Sequence, residues 1–124
     1  MGDTVNDNLI KGWIEAQAVD VESDQYDDVS WAIDDLYDLV YDDPEELLKT
    51  VQLILGQNSS EKVIGALGAG VIEELIVNSD ELVIEKLLDI VSSNDNLKRC
   101  FKYVYVDQKD VTPKIYDLIQ KQRK

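Results

Sequence analysis

Apolar residues recur along this chain at three- and four-residue spacing, and short polar stretches with helix-start chemistry separate them. A first helix is expected over about residues 4–19, with Leu9, Trp13 and Ala16 or Gln17 inward and Gly12 as a weak point. An acidic, turn-rich stretch follows over 20–28. The second helix should run over 27–41, where Val29, Ala32, Ile33, Leu36 and Val40 mark one buried face. Asp43 then fits an N-cap and Pro44 the first helical position, where no N–H donor is needed. Glu45 and Glu46 suit the positive end of the helix dipole. This third helix should reach Leu55 and stop at Gly56.

The stretch 60–77 is the most apolar and is expected to be one central helix touched from several sides. Gly65, Gly68 and Gly70 would let its neighbours approach closely. Asn78 and Glu81 stand at capping-box spacing before a fifth helix that ends near Val91. Residues 92–95 make a loop and a further cap, and a sixth helix should span 95–105 with Leu97, Cys100, Phe101 and Val104 on one face. Thr112-Pro113 repeats the cap-plus-proline signal for a last helix to about Gln122. Only 102–106 competes as a strand, through Tyr103, Val104, Tyr105 and Val106. The expected fold is therefore all-α, one domain over 1–124. Six or seven short helices would pack as antiparallel pairs, in an irregular bundle or a short α-solenoid.

Charge changes the picture. The 124 residues carry 26 acids against 12 bases, a net of −14, and the imbalance is local. Residues 20–46 hold 12 acids and no base. Residues 1–97 hold 23 acids and 4 bases, whereas residues 98–124 hold 3 acids and 8 bases. Hydrophobic residues make up 44%, too many for a disordered acidic tail. Such a field opposes direct nucleic-acid binding, because phosphate contacts need cations. It favours a basic protein partner, whose approach it would steer. The bland counterpart is a solvated, solubilising face.

Chemistry is mostly excluded. Without histidine the chain lacks the usual general base, the usual transition-metal ligand and every His-dependent nucleophile. The single cysteine, Cys100, permits no internal disulfide and is expected to be buried and inert. No apolar run reaches a membrane span and no signal-peptide pattern opens the chain, so a cytoplasmic protein that stays off the membrane is expected. Asp34-Asp35-Leu36-Tyr37-Asp38 spells a DDxxD string of the kind that binds magnesium in prenyl-diphosphate enzymes, but the chain is too short to build their cavity. Asp20, Glu22 and Asp24 begin an EF-hand-like count that fails at Gln25 and Trp31. Glu45-Glu46 and Glu73-Glu74 could suggest a helical pyrophosphohydrolase, yet no further acidic partner stands at suitable spacing. The 65–70 glycines are spaced GxxGxG, not as a phosphate loop. No metal, cofactor or catalytic residue is expected.

Trp31 is the most informative side chain. At about 100° per residue it lies opposite the buried stripe of its helix, in the same sector as Asp34, Asp35, Asp38 and Asp42. Either it packs beneath the N-terminal helix or the 20–28 loop, or it is an aromatic anchor inside an acidic ring.

The segment from Trp31-Ala32-Ile33-Asp34-Asp35-Leu36 to Asp42-Asp43-Pro44-Glu45 resembles a bacterial family of small helical domains of unknown function. Leu47–Leu55, the stretch from Ala66 to Leu75 and Trp13-Ile14-Glu15 continue that pattern, while the basic C-terminal third departs from it. The resemblance implies a helical fold and no particular activity. In size, acidity and helicity the chain is also similar to bacterial immunity proteins, those of contact-dependent growth inhibition and of nuclease colicins. That likeness implies a non-enzymatic inhibitor of a basic toxin, a nuclease foremost. Its contact surface would be Asp24, Asp27, Asp28, Trp31, Asp34, Asp35, Asp38 and Asp42. The alternative is a helical scaffold or regulatory interaction domain with no toxin partner. Either leaves the oligomeric state open.

Overall fold

Side chains that can accept a backbone N–H set the helix starts. In the computed structural model, which describes residues 3–123 with side chains from Asp7 onward, α1 spans Asp3–Ala18. Ser23 accepts from the Tyr26 N–H and opens α2, Asp24–Val29. Helix α3 is Trp31–Asp42. Asp43 caps α4, Pro44–Gln57, by accepting from the Glu46 N–H at 3.2 Å. Ser60 does the same for α5, Glu61–Leu67. A π-turn, Gly68–Ile72, leads into α6, Glu73–Asn78. Helices α7, Glu81–Val91, and α8, Asp95–Cys100, are capped by Asp80 and Asn94. Two 3-10 turns follow, Phe101–Tyr103 and Gln108–Asp110. Thr112 then caps α9, Pro113–Gln122. All regular structure among the described residues is helical.

Four boundaries differ from expectation, each for a local reason. The helix expected over 27–41 is two helices: α2 begins earlier, at the Ser23 cap, and Ser30 interrupts it, bonding its hydroxyl back to the Asp27 carbonyl. Gly56 does not end α4; the helix runs on to Gln57 and ends at the extended residue Asn58. Asp80, not Asn78, caps α7, because Asn78 still belongs to α6, where its amide nitrogen donates to the Glu74 carbonyl at 2.9 Å, and Asp80 directly precedes Glu81. Helix α8 stops at Cys100 rather than reaching 105. Beyond it Val104 and Val106 are buried while Tyr103 and Tyr105 are exposed, so the alternation read as a strand is real. No strand forms there, because the Tyr105 N–H donates to the Glu73 carboxylate at 2.7 Å and not to a neighbouring strand.

The π-turn follows from the spacing of the core. Buried pairs Val63/Ile64, Leu67/Gly68, Val71/Ile72 and Leu75/Ile76 repeat every four residues. An α-helix would rotate that face by about 40° per repeat, roughly 120° from Val63 to Leu75. The wider i→i+5 turn underwinds the helix and brings the face back to the core. Gly68 permits the closest contact: a Cβ there would lie 2.1 Å from the Cys100 carbonyl oxygen. The close approach expected of the glycines is found here.

One continuous core runs from Leu9 to Ile119, with Leu36, Ile54, Ile64, Leu67 and Phe101 at its fully buried centre. In a solenoid each unit touches only its neighbours. Here α1 packs on α3, α4 and α5, α3 on α6, and α4 on both α7 and α8. The arrangement is an irregular bundle, and it leaves the outer side of α2 and α3 uncovered. No helix among the described residues is long and apolar enough to cross a membrane.

Candidate protein-interaction surface

Helix α3 divides by face. Ala32, Leu36 and Val40 are buried in the core. Opposite them stand Asp34, Asp35, Asp38 and Asp42, all exposed. Trp31, Asp35, Asp38 and Asp42 step by four, three and four residues, so they form one stripe about 16 Å long. Asp24 and Asp28 continue the same spacing back along α2, and Asp27 is beside them; all three are exposed. All eight expected residues are exposed, on α2 and α3.

Trp31 combines the two readings open to it. It is 43% exposed, and the rest of its indole lies on α1, where a Cβ at Gly12 would meet its Cζ2 at 3.3 Å. Glycine at position 12 is what lets the ring settle onto the helix. The indole is thus fixed on one side and open to solvent on the other, beside the carboxylates.

Among the described residues no ion pair neutralises this face. The ion pairs among the described residues lie elsewhere: Lys86–Glu45 at 2.7 Å, Arg99–Glu61, Lys109–Asp107 at 3.9 Å, and Lys114 with Glu81 at 3.2 Å and Glu85 at 3.3 Å. None of the seven aspartates of the surface takes part, and among the described residues none of their carboxylates has a hydrogen-bond donor. At the N-terminal side, Asp20 accepts from the Glu22 N–H at 2.9 Å and Ser23 from the Tyr26 N–H. The failed EF-hand count is therefore a turn plus a helix cap.

The other acidic pairs serve the fold. Glu45 is bridged to Lys86, whose hydrogen bond and charge hold its carboxyl below the usual range. Glu73 accepts from the Tyr105 N–H, and Glu74 from the Tyr41 hydroxyl. No group of three or more Cys, Asp or Glu side chains is placed to hold a metal among the described residues. Cys100 is fully buried, and desolvation pushes its thiol up to about 12.

Sequence spacing places Tyr37 and Tyr41 near the acidic stripe as added contact area but does not give what they touch. Tyr37 is half-buried between α1 and the π-turn. Burial, then the charges of Glu74 and Glu73, raise its hydroxyl above the ordinary tyrosine value. Tyr41 is bonded to Glu74. These contacts join residues more than thirty positions apart, and spacing within one helix cannot reveal them.

A family model described as a family of unknown function (DUF6869) matches residues 19–124. The match includes the basic C-terminal third and begins where α1 has ended, so Trp13-Ile14-Glu15 lies outside it. No curated protein and no solved structure matches the chain.

Proposed function

We propose a binding role, without chemistry of its own, for this chain, which belongs to the family of unknown function DUF6869. It acts as an immunity protein: it binds a basic toxin domain, a nuclease foremost, and covers that domain's cationic surface with α2 and α3. One observation carries the reading. Seven exposed aspartates stand on the consecutive helices α2 and α3 with a half-exposed tryptophan, and no cation is paired to them among the described residues.

Such a face costs self-repulsion in the free protein, and a cationic partner would relieve it. A nuclease must present cations to the phosphate backbone, so an acidic protein competes for the same surface. Charge would steer the encounter, while the desolvated indole would supply contact that salt does not screen. In this reading the protein works in the cytoplasm and needs neither metal nor cofactor.

The test is affinity capture from the native host, washed at low salt and then at about 0.5 M, where the Debye length is only a few ångströms. One basic polypeptide should survive the high-salt wash. Reversing charge at Asp35→Lys and Asp38→Lys together should weaken its binding roughly a hundredfold or more, with the helical circular dichroism signal unchanged. Unchanged affinity would show that the contact surface lies elsewhere. Recovery only of species lost in salt would favour a scaffold or regulatory domain. The observation on that side is an open trough of about 390 Å³ over Leu48 and Ile90, between α4 and α7.

A further inference from the structure

We propose that the cleft between α1, α3 and the π-turn receives an arginine side chain of the basic partner, with its guanidinium against the Tyr37 ring. The proposal rests on the reading of a basic protein partner.

The cleft has a volume of about 140 Å³ and is lined by Trp13, Gln17, Ile33, Tyr37, Ala66 and Gly70. At about 30 Å³ per water it has room for four or five water-sized groups. A guanidinium, one carbon and three nitrogens, is of that size. Trp13, 3% exposed, closes the floor, and the half-buried Tyr37 is the aromatic side chain an occupant can meet. An aromatic face favours a cation, and arginine stacks on rings better than lysine does.

Two oxygens of the cleft can accept from a cation. Gln17 donates one amide N–H to the Trp13 carbonyl at 3.3 Å, and its side-chain oxygen is left to accept. The Tyr37 hydroxyl has no hydrogen-bond partner among the described residues, so its oxygen can also accept. Glu73 and Glu74 stand one turn beyond Gly70, close enough for their charge to act on that hydroxyl. An apolar occupant would leave both oxygens unpaired, and an acidic one would meet the two glutamates.

Position fits as well. Tyr37 is three residues from Asp34 and Tyr41 three from Asp38, so the cleft borders the acidic stripe. A partner lying along α3 would reach it from the edge of the contact. Gly70 keeps the wall in place, since a Cβ there would meet the Tyr37 hydroxyl at 3.0 Å.

The experiment needs no partner protein. Nitrogen-15-labelled full-length protein is titrated with N-acetylarginine amide and observed by two-dimensional NMR. Saturable shifts are expected at the Gly70 amide and the Trp13 indole N–H, with a dissociation constant on the order of 1–10 mM. The neutral citrulline counterpart should bind at least about tenfold more weakly. Ala66→Leu fills the cleft and should abolish saturation. If that variant does not fold, Gln17→Leu, which removes an acceptor on the half-exposed side of α1, should weaken binding about fivefold. Linear shifts spread over α2 and α3 with none at Gly70 would overturn the proposal. Equal responses to the citrulline probe would overturn it too, and an equal lysine response would overturn the choice of arginine. A saturable response with no basic polypeptide captured would keep the cleft and remove the docking reading; the reverse result would remove the cleft alone.

Discussion

Replacing Gly68 by alanine should unfold this protein at a markedly lower temperature. The added Cβ would lie 2.1 Å from the Cys100 carbonyl oxygen and 3.0 Å from both the Cys100 carbonyl carbon and the Tyr103 Cβ. The nearest obstacle is backbone, so no side chain can rotate away. The π-turn and the end of α8 must part by more than about 1 Å, and both Cys100 and Phe101 are fully buried there. Overpacking of this kind costs about 1–3 kcal/mol, and more when backbone has to move. Alanine returns up to about 1 kcal/mol in helix propensity. Because the obstacle is backbone, the top of that range applies, and the net loss is about 2 kcal/mol. For a chain of this length each kcal/mol shifts the midpoint by about 3–5 °C, so Tm should fall by roughly 6–10 °C.

Two glycines of the same chemistry serve as controls. At Gly65 a Cβ would meet the Tyr103 ring at 3.5 Å, an ordinary contact, and at Gly56 it would meet nothing within 4 Å. Both alanine variants should be as stable as the parent, or more stable by up to about 1 kcal/mol. Urea unfolding followed by far-ultraviolet circular dichroism, with thermal melts, reads all three. A Gly68→Ala protein as stable as the parent would refute the reasoning, because it would mean that α8 can step aside freely.

Cys100 should resist thiol reagents at neutral pH in the folded protein and react fully in urea, since burial holds the thiol near 12; rapid labelling of the native state would contradict this. Raising salt from about 10 mM to 0.5 M should raise Tm, because screening relieves repulsion across the unpaired aspartates; a fall would mean that the few ion pairs dominate. The Tyr103 hydroxyl and Arg99 hold the Glu61 carboxyl below its ordinary value. Its contribution to stability is therefore complete above the ordinary glutamate range and is lost as pH falls toward the lowered folded value. Unfolding curves at stepwise lower pH should show a smaller acid-side loss in Glu61→Gln than in the parent, and identical losses would remove the claim.

Local chemistry was legible and distant contacts were not. Asp43 and Thr112 could be read as caps because a cap needs only a side-chain acceptor and an N–H three residues on. The buried and acidic faces of α3 followed from rotation per residue. The cap of α7 is ambiguous in the sequence because Asn78 and Asp80 both suit the role, and only the run of α6 through Asn78 decides between them. The break at Ser30 left the apolar spacing intact, so periodicity ran straight across it. Trp31 could be placed in the acidic sector, yet its seat on Gly12 depends on how α1 crosses α3. The Tyr41–Glu74 and Tyr105–Glu73 contacts and the Tyr37 cleft arise from tertiary packing. The four-residue repeat from Val63 to Ile76 was visible as a signal, but read as a helix with several apolar sides it concealed the π-turn.

That turn also bears on how the chain came to have its present length. With one residue fewer between Val63 and Leu75, eleven steps of about 100° would bring the two positions within about 20° of the same face, and an ordinary α-helix would suffice. The extra residue therefore has the character of an insertion absorbed inside a helix, where the glycines at 68 and 70 leave the backbone room to take it up. Single-residue length differences within the lineage should collect at 68–72 rather than in the loops, and a deletion there should be better tolerated than one at any other point of the same helix.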